Sequence, residues 1–138
     1  MTTNDGVTVT TVVRIDPANA FRLFTMEIDS WWKRGQRYRT GDGPMCFDSG
    51  RLLQGSDVVA RVLAWEPGVR LLLEWSAPPF PPGEITEVEV RFEPIGDGTR
   101  VTVSHCGWTR PKGAAEFRTV VGLWWGTLLP GFGRMTAV

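Results

Sequence analysis

The chain of 138 residues is poor in titratable and reactive side chains, with one histidine, one tyrosine and two cysteines. Two cysteines cannot build a disulfide framework, and they suit a reduced, cytosolic setting. Charge of either sign is not in excess, since fifteen Lys plus Arg balance fifteen Asp plus Glu. Nucleic-acid binders normally carry a basic surplus to meet phosphates, so that class is set aside. No apolar run approaches the ~18 residues of a membrane span; the longest are broken by Arg, Glu or Gly. The opening MTTNDGVTVTT lacks the basic and apolar regions of a secretory signal, and the expectation is a cytoplasmic protein. Neither GDGPM nor GDGTR has the Lys-Ser/Thr or the strand-to-helix context of a phosphate loop. Cys46 and Cys106 lack the local spacing of a zinc site, and no Ser or Cys has an obvious base. Neither a metal nor another cofactor is expected.

What the chain does have is apolar aromatic surface: seven Trp and seven Phe, within 42% hydrophobic residues. The length favours one domain, 1–138, with a core over about 7–129 and no repeat or linker to divide it. Val7, Val9, Val13 and Ile15 alternate with Thr8, Thr10 and Arg14, which predicts a half-buried strand. Asp16-Pro17 suits a helix cap and first turn, followed by a helix over 18–25 that buries Ala20, Phe21 and Phe24. A second helical turn is expected to start at an Asp29 cap and carry Trp31 and Trp32. Residues 35–44 read as an exposed loop.

Strands are expected at 45–48, 51–54, 58–66 and 69–76, with turns at Ser49-Gly50 and Pro67-Gly68. The stretch APPFPPG, 77–83, cannot join a central strand, because proline lacks the donor. Thr86, Val88, Val90 and Phe92 then alternate with Glu87, Glu89, Arg91 and Glu93. After Gly96-Asp97-Gly98 a last strand sets Val101, Val103 and His105 on one face, and Arg100, Thr102 and Ser104 on the other. From Gly113 the apolar positions Phe117, Val120, Val121, Trp124, Leu128 and Leu129 have helical spacing, and Pro130-Gly131 stop them. The tail beyond has no clear pattern. Strand, short helices, about six strands and a long helix make an α+β protein.

That order, together with IDPANAFRLFT (15–25), Trp31-Trp32, VLAWEPGVRLLLEW (62–75) and TEVEVRFEPIGDGTRVTVSHCGW (86–108), resembles the START-like superfamily. These are also called helix-grip or SRPBCC proteins. Within them the chain looks like bacterial relatives of the Aha-type activators of the ninety-kilodalton heat-shock chaperone, a stress-response setting. The resemblance implies a curved antiparallel sheet of six to seven strands wrapped around a long C-terminal helix. It also implies a pocket between the two. Members of the superfamily bind lipids, hormones and polyketides, or act as enzymes or co-chaperones, so the fold alone does not give the activity.

The expected pocket wall is Trp31, Trp32, Leu71, Leu73, Trp75, Val88, Val90, Phe92 and Val103, with Leu71, Leu73 and Trp75 sharing one strand face, as do Val88, Val90 and Phe92. Phe117, Val121 and Trp124 of the last helix would face them. A filled core has the same pattern, and the resemblance is what favours a cavity. His105 points to the same side. It is either a polar anchor or proton donor for a ligand, or a buried ring satisfied by its neighbours. The absence of an in-phase carboxylate beside it favours the second. Gly122 and Gly126 share one helix face and allow close approach of the sheet or a ligand. Arg34, Arg37, Tyr38 and Arg39 form either a gate at the pocket mouth or an ordinary solvated loop. Glu66, Glu74, Glu87, Glu89 and Glu93 are expected only to solubilise the sheet exterior.

Three functions follow from these features. The first is a binding protein whose partner is a small hydrophobic or aromatic molecule. The second is an enzyme of cyclase, hydratase or isomerase type with His105 as general acid or base, which the shortage of titratable partners disfavours. The third is a co-chaperone that contacts a heat-shock ATPase through the sheet exterior.

Overall fold

Alternating β-branched and polar residues build most of this molecule. In the computed structural model the described residues are 6–31, 44–55, 57–75, 86–106 and 132–133. The strands are β1 (Gly6–Val13), β2 (Met45–Asp48), β3 (Arg51–Gln54), β4 (Asp57–Glu66), β5 (Arg70–Trp75), β6 (Thr86–Ile95) and β7 (Gly98–Cys106). Two helices, α1 (Pro17–Met26) and α2 (Ile28–Trp31), lie between β1 and β2 in the chain. All seven strands pair antiparallel in one sheet, in the order β1-β7-β6-β5-β4-β3-β2. The α+β class is as expected. The C-terminal helix over 113–129 lies outside the described residues, as do Trp32, the loop residues Arg34 to Arg39 and the proline-rich stretch 77–83. No helix among the described residues is long and apolar enough to cross a membrane.

Local chemistry sets the turns. Ser49 and Gly50 both have positive φ, 53° and 75°, which gives a two-residue turn whose twist matches the flanking strands. The Val69 amide donates to the Glu66 carbonyl at 2.9 Å, and Gly68 has φ 77°, with Pro67 before it fixing the preceding φ. At Gly98 a Cβ would collide with the Val13 carbonyl, so glycine is required where β1 ends against the start of β7. Irregular register in β3–β4 and again between Val62 and Ala64 in β4–β5 bends the sheet.

The helices cover one end of the concave face. Asp16 caps α1 as expected, its carboxylate accepting from the Asn19 amide at 3.0 Å. Ala20, Phe21 and Phe24 are buried, and Phe21 and Phe24 pack on Phe92 with ring centroids 5.2 and 5.9 Å away. Each such ring contributes about 1.5–3 kcal/mol by leaving water.

Three expectations need correction. Asp29 does not cap α2; it lies inside the first turn, and its carboxylate accepts from the Met45 amide at 2.9 Å, which ties the helix to the start of β2. The tail is not featureless, for Phe132 is fully buried against Phe24 and Trp31, at 5.3 and 5.4 Å. The exterior carboxylates do more than solubilise. Arg61 pairs with Glu74 at 3.0 Å, Arg70 with Glu89 and Glu66 at 2.6 and 3.3 Å, and Arg91 with Glu89 at 3.0 Å. Register brings the first three pairs together across adjacent strands, and Arg91 reaches Glu89 along β6 itself.

Candidate functional site

Along β7 the buried residues are Thr99, Val101, Val103 and His105, with Thr102 and Ser104 turned to the other face. The turn between β6 and β7 fixes the register, so that Val88 sits opposite His105 and Leu73 opposite Val88. Thr86 is two residues before Val88 on the same face and is therefore the diagonal neighbour of His105. Its hydroxyl lies 2.8 Å from His105 Nε2. Trp75 stands opposite Thr86 across β5–β6, and its ring centroid is 5.7 Å from the imidazole in an edge-on arrangement. The three side chains are fully or almost fully buried.

Burial disfavours the charged imidazole and pushes the His105 pKa down to about 3. At neutral pH the ring is therefore uncharged, with one nitrogen as donor and the other as acceptor. Such a group can hold a hydrogen bond in an apolar setting and is a feeble proton acceptor. A general base is most effective with a pKa near the working pH.

Around this polar end the sequence-derived wall is brought together. Leu71, Leu73, Val88, Val90, Phe92 and Val103 are all buried on the same face of β5, β6 and β7. Trp31 joins the same buried core through Phe24, which packs on Phe92. It stacks with Phe24 at 4.8 Å and with Phe132, and its Nε1 donates to the Phe24 carbonyl at 3.2 Å. Trp32, Phe117, Val121 and Trp124 lie outside the described residues. Thr86 was missed as the partner of His105, although the hairpin register could have revealed it.

A separate cleft of about 290 Å³ opens beside the C-terminal end of α1. Phe47, Val62 and Trp65 line it together with Met26, and the β2–β3 turn from Asp48 to Arg51 completes the lining. Nothing in the sequence pattern singled it out. Strict alternation puts Val62 and Trp65 on opposite faces, whereas the extra residue in β4 sets Val62 opposite Leu73 and Trp65 opposite Leu71, on one face.

On the convex face Glu89 is drawn two ways. Partial burial pushes its carboxyl up, and hydrogen bonds from Arg70 and Arg91 outweigh that and leave it below the usual value. Cys46 and Cys106 are free and exposed. Burial, then Glu87 and Glu89, push the Cys106 thiol up, away from the reactive thiolate. Among the described residues no group of His, Cys, Asp or Glu is arranged to hold a metal ion.

A curved seven-stranded antiparallel sheet in this order, with two helices between its edge strands, is the frame of the START-like class. The chain belongs to the Activator of Hsp90 ATPase homolog 1-like protein family, whose model matches residues 15–129. Among solved structures it is similar to CalC, a self-sacrificing resistance protein from Micromonospora echinospora. The TM-score is 0.73 at 23% identity, covering 95% of this chain and 93% of that one. CalU16 from the same organism aligns with TM-score 0.71 at 18% identity, over 96% of this chain and 74% of that one. An HSP90 activator from Plasmodium falciparum aligns with TM-score 0.66 at 16% identity, over 94% of each chain. No curated protein matches the chain. At these identities the likeness establishes the fold.

Proposed function

We propose that the chain binds a small hydrophobic or aromatic molecule on the concave face of its sheet. The opposite wall would come from the helix that the sequence pattern gives over 113–129. The observation that carries this reading is the His105–Thr86 pair, a neutral hydrogen-bonding group set at the end of an otherwise apolar wall. Ligand sites have this composition, mostly apolar with a few polar anchors that fix orientation. Apolar burial at ~25 cal/mol per Å² would supply the affinity, and the His105–Thr86 pair would orient a ligand carrying one hydroxyl or carbonyl.

The test is a titration with flavonoid-like compounds and fatty acids, followed by tryptophan fluorescence. Saturable binding that weakens about tenfold in His105→Gln for hydroxylated ligands, and less for those without a polar group, supports the reading. Absence of saturable binding across the panel, or equal effects on both ligand classes, overturns it.

Family membership favours a second reading, contact with a heat-shock ATPase. The convex face, with Glu87, Arg91 and Glu93 exposed around the Arg70–Glu89 pair, offers a charged surface for it. A pull-down with an ATPase assay tests this, and no association with no change in rate removes it. The enzymatic reading is the weakest of the three, because an imidazole titrating near 3 is poorly matched to acid-base work at neutral pH.

A further inference from the structure

The cleft at the end of α1 shares no residue with the concave wall, and its construction is that of a preformed aromatic notch. Trp65 meets Phe21 edge-on at 5.2 Å and Phe47 at 5.5 Å, so two neighbours lock its ring in place. Even so, Trp65 remains 40% exposed and Met26 68% exposed. Large apolar side chains left in solvent beside a concavity, rather than scattered singly, mark a binding surface. The opposite rim is rigid as well: the Gly50 carbonyl accepts from the Val62 amide at 2.8 Å, which ties the β2–β3 turn to β4. Met26, an unbranched, adaptable and largely exposed side chain, can adjust to an occupant.

Size and charge define the occupant. A volume of about 290 Å³ is at the small end of ligand pockets and is too small for a folded segment of another protein. Asp48 and Arg51 face each other across the turn, so the rim carries one charge of each sign and no net field to favour an ion. An aromatic floor formed by Trp65 and Phe47 suits a flat ring lying against it or meeting it edge-on. We propose that this cleft is a second site, separate from the His105 end of the sheet, for a neutral planar aromatic molecule of one or two rings.

Indole, neutral and bicyclic with a single N–H, is the probe. The experiment is a titration of the whole protein carrying carbon-13 methionine methyls, with the imidazole signal of the lone histidine followed in the same samples. The expected result is a saturable ring-current shift of the Met26 methyl in the high-micromolar to millimolar range, roughly what a ligand this small achieves, with the His105 signal unmoved. Val62→Phe, which fills the cleft, should weaken binding about tenfold at an unchanged urea midpoint. If that variant does not fold, Trp65→Leu serves instead, since it removes the aromatic floor from a side chain 40% exposed and keeps the Met26 methyl as reporter. A shift at His105 without one at Met26 places the probe at the His105 end of the sheet and overturns the proposal. So do movement of both with a single midpoint, no shift at about 1 mM, or wild-type affinity in the folded cleft variant. Failure here leaves the concave-face reading standing, because the two sites report through different residues.

Discussion

Acidification acts on this fold through a single imidazole, and its effect can be calculated. In the unfolded chain His105 takes up a proton below about pH 6.5, whereas in the folded protein burial delays that until about pH 3. Between those values the unfolded state binds more protons, so stability rises with pH across the window and falls as pH is lowered. The slope is at most about 1.4 kcal/mol per pH unit, and lowering the pH from about 7.5 to about 5 costs roughly 2 kcal/mol. That is a large part of a typical stability of ~5–15 kcal/mol. With a urea dependence of ~1–3 kcal/mol per molar, the unfolding midpoint is expected to drop by about 1 M. The assay is urea unfolding followed by tryptophan fluorescence at several pH values, on the wild type and on His105→Gln. The chain has no other histidine to blur the comparison. The lowered Glu89 carboxyl loses its own contribution only at more acid pH. His105→Gln should have a nearly flat midpoint above about pH 5, whatever its absolute stability, because the comparison is of slopes. Parallel pH profiles for the two proteins would refute the argument that His105 is held neutral by burial.

Other consequences of the packing are open to the same unfolding measurement. Gly98→Ala forces a methyl into the Val13 carbonyl and is expected to cost about 1–3 kcal/mol; a variant as stable as wild type would mean that β1 can shift. Asp29→Ala removes the acceptor of the Met45 amide and should lower stability by about 1–2 kcal/mol, with Asp29→Asn recovering part of it. Deleting Leu63, the residue without a partner in the β4–β5 ladder, should leave the sheet intact, because every pair on either side keeps its partner. Loss of cooperative unfolding in that deletion variant would count against the described register.

Wherever strict alternation held, the sequence was a good guide. The burial of Val88, Val90, Phe92, Val101, Val103 and His105 follows from period two, and the helix cap at Asp16 from its side-chain chemistry. The strands at Met45–Asp48 and Arg51–Gln54 match their expected limits, since a Ser-Gly turn leaves little freedom between them. What the pattern missed depends on long-range geometry. The carboxylate of Asp29 reads locally as a cap, yet it bonds an amide sixteen residues away. Phe132 follows a Pro-Gly stop, yet tertiary packing draws it into the aromatic core. Thr86 becomes the partner of His105 only once the register of β6 and β7 is applied, and Trp65 joins the cleft only through an irregularity that no periodicity announces. The wall is legible in the sequence because burial shapes composition; the cleft depends on where side chains are left uncovered.

The order of the strands also has a consequence for how the protein comes into being. β1, made before the other six strands, pairs with β7, so that Gly6 waits for Cys106. At about 5–20 residues per second, roughly 5–20 seconds pass between the synthesis of the two partners. During that time an uncharged, valine- and threonine-rich segment has no native neighbour in the sheet, while β2 to β6 can already zip from one hairpin to the next. The last ladder to close joins the first and last strands of the sheet, and contacts this distant in sequence are slow to form. Birth order thus makes the earliest strand of this sheet the last to be secured.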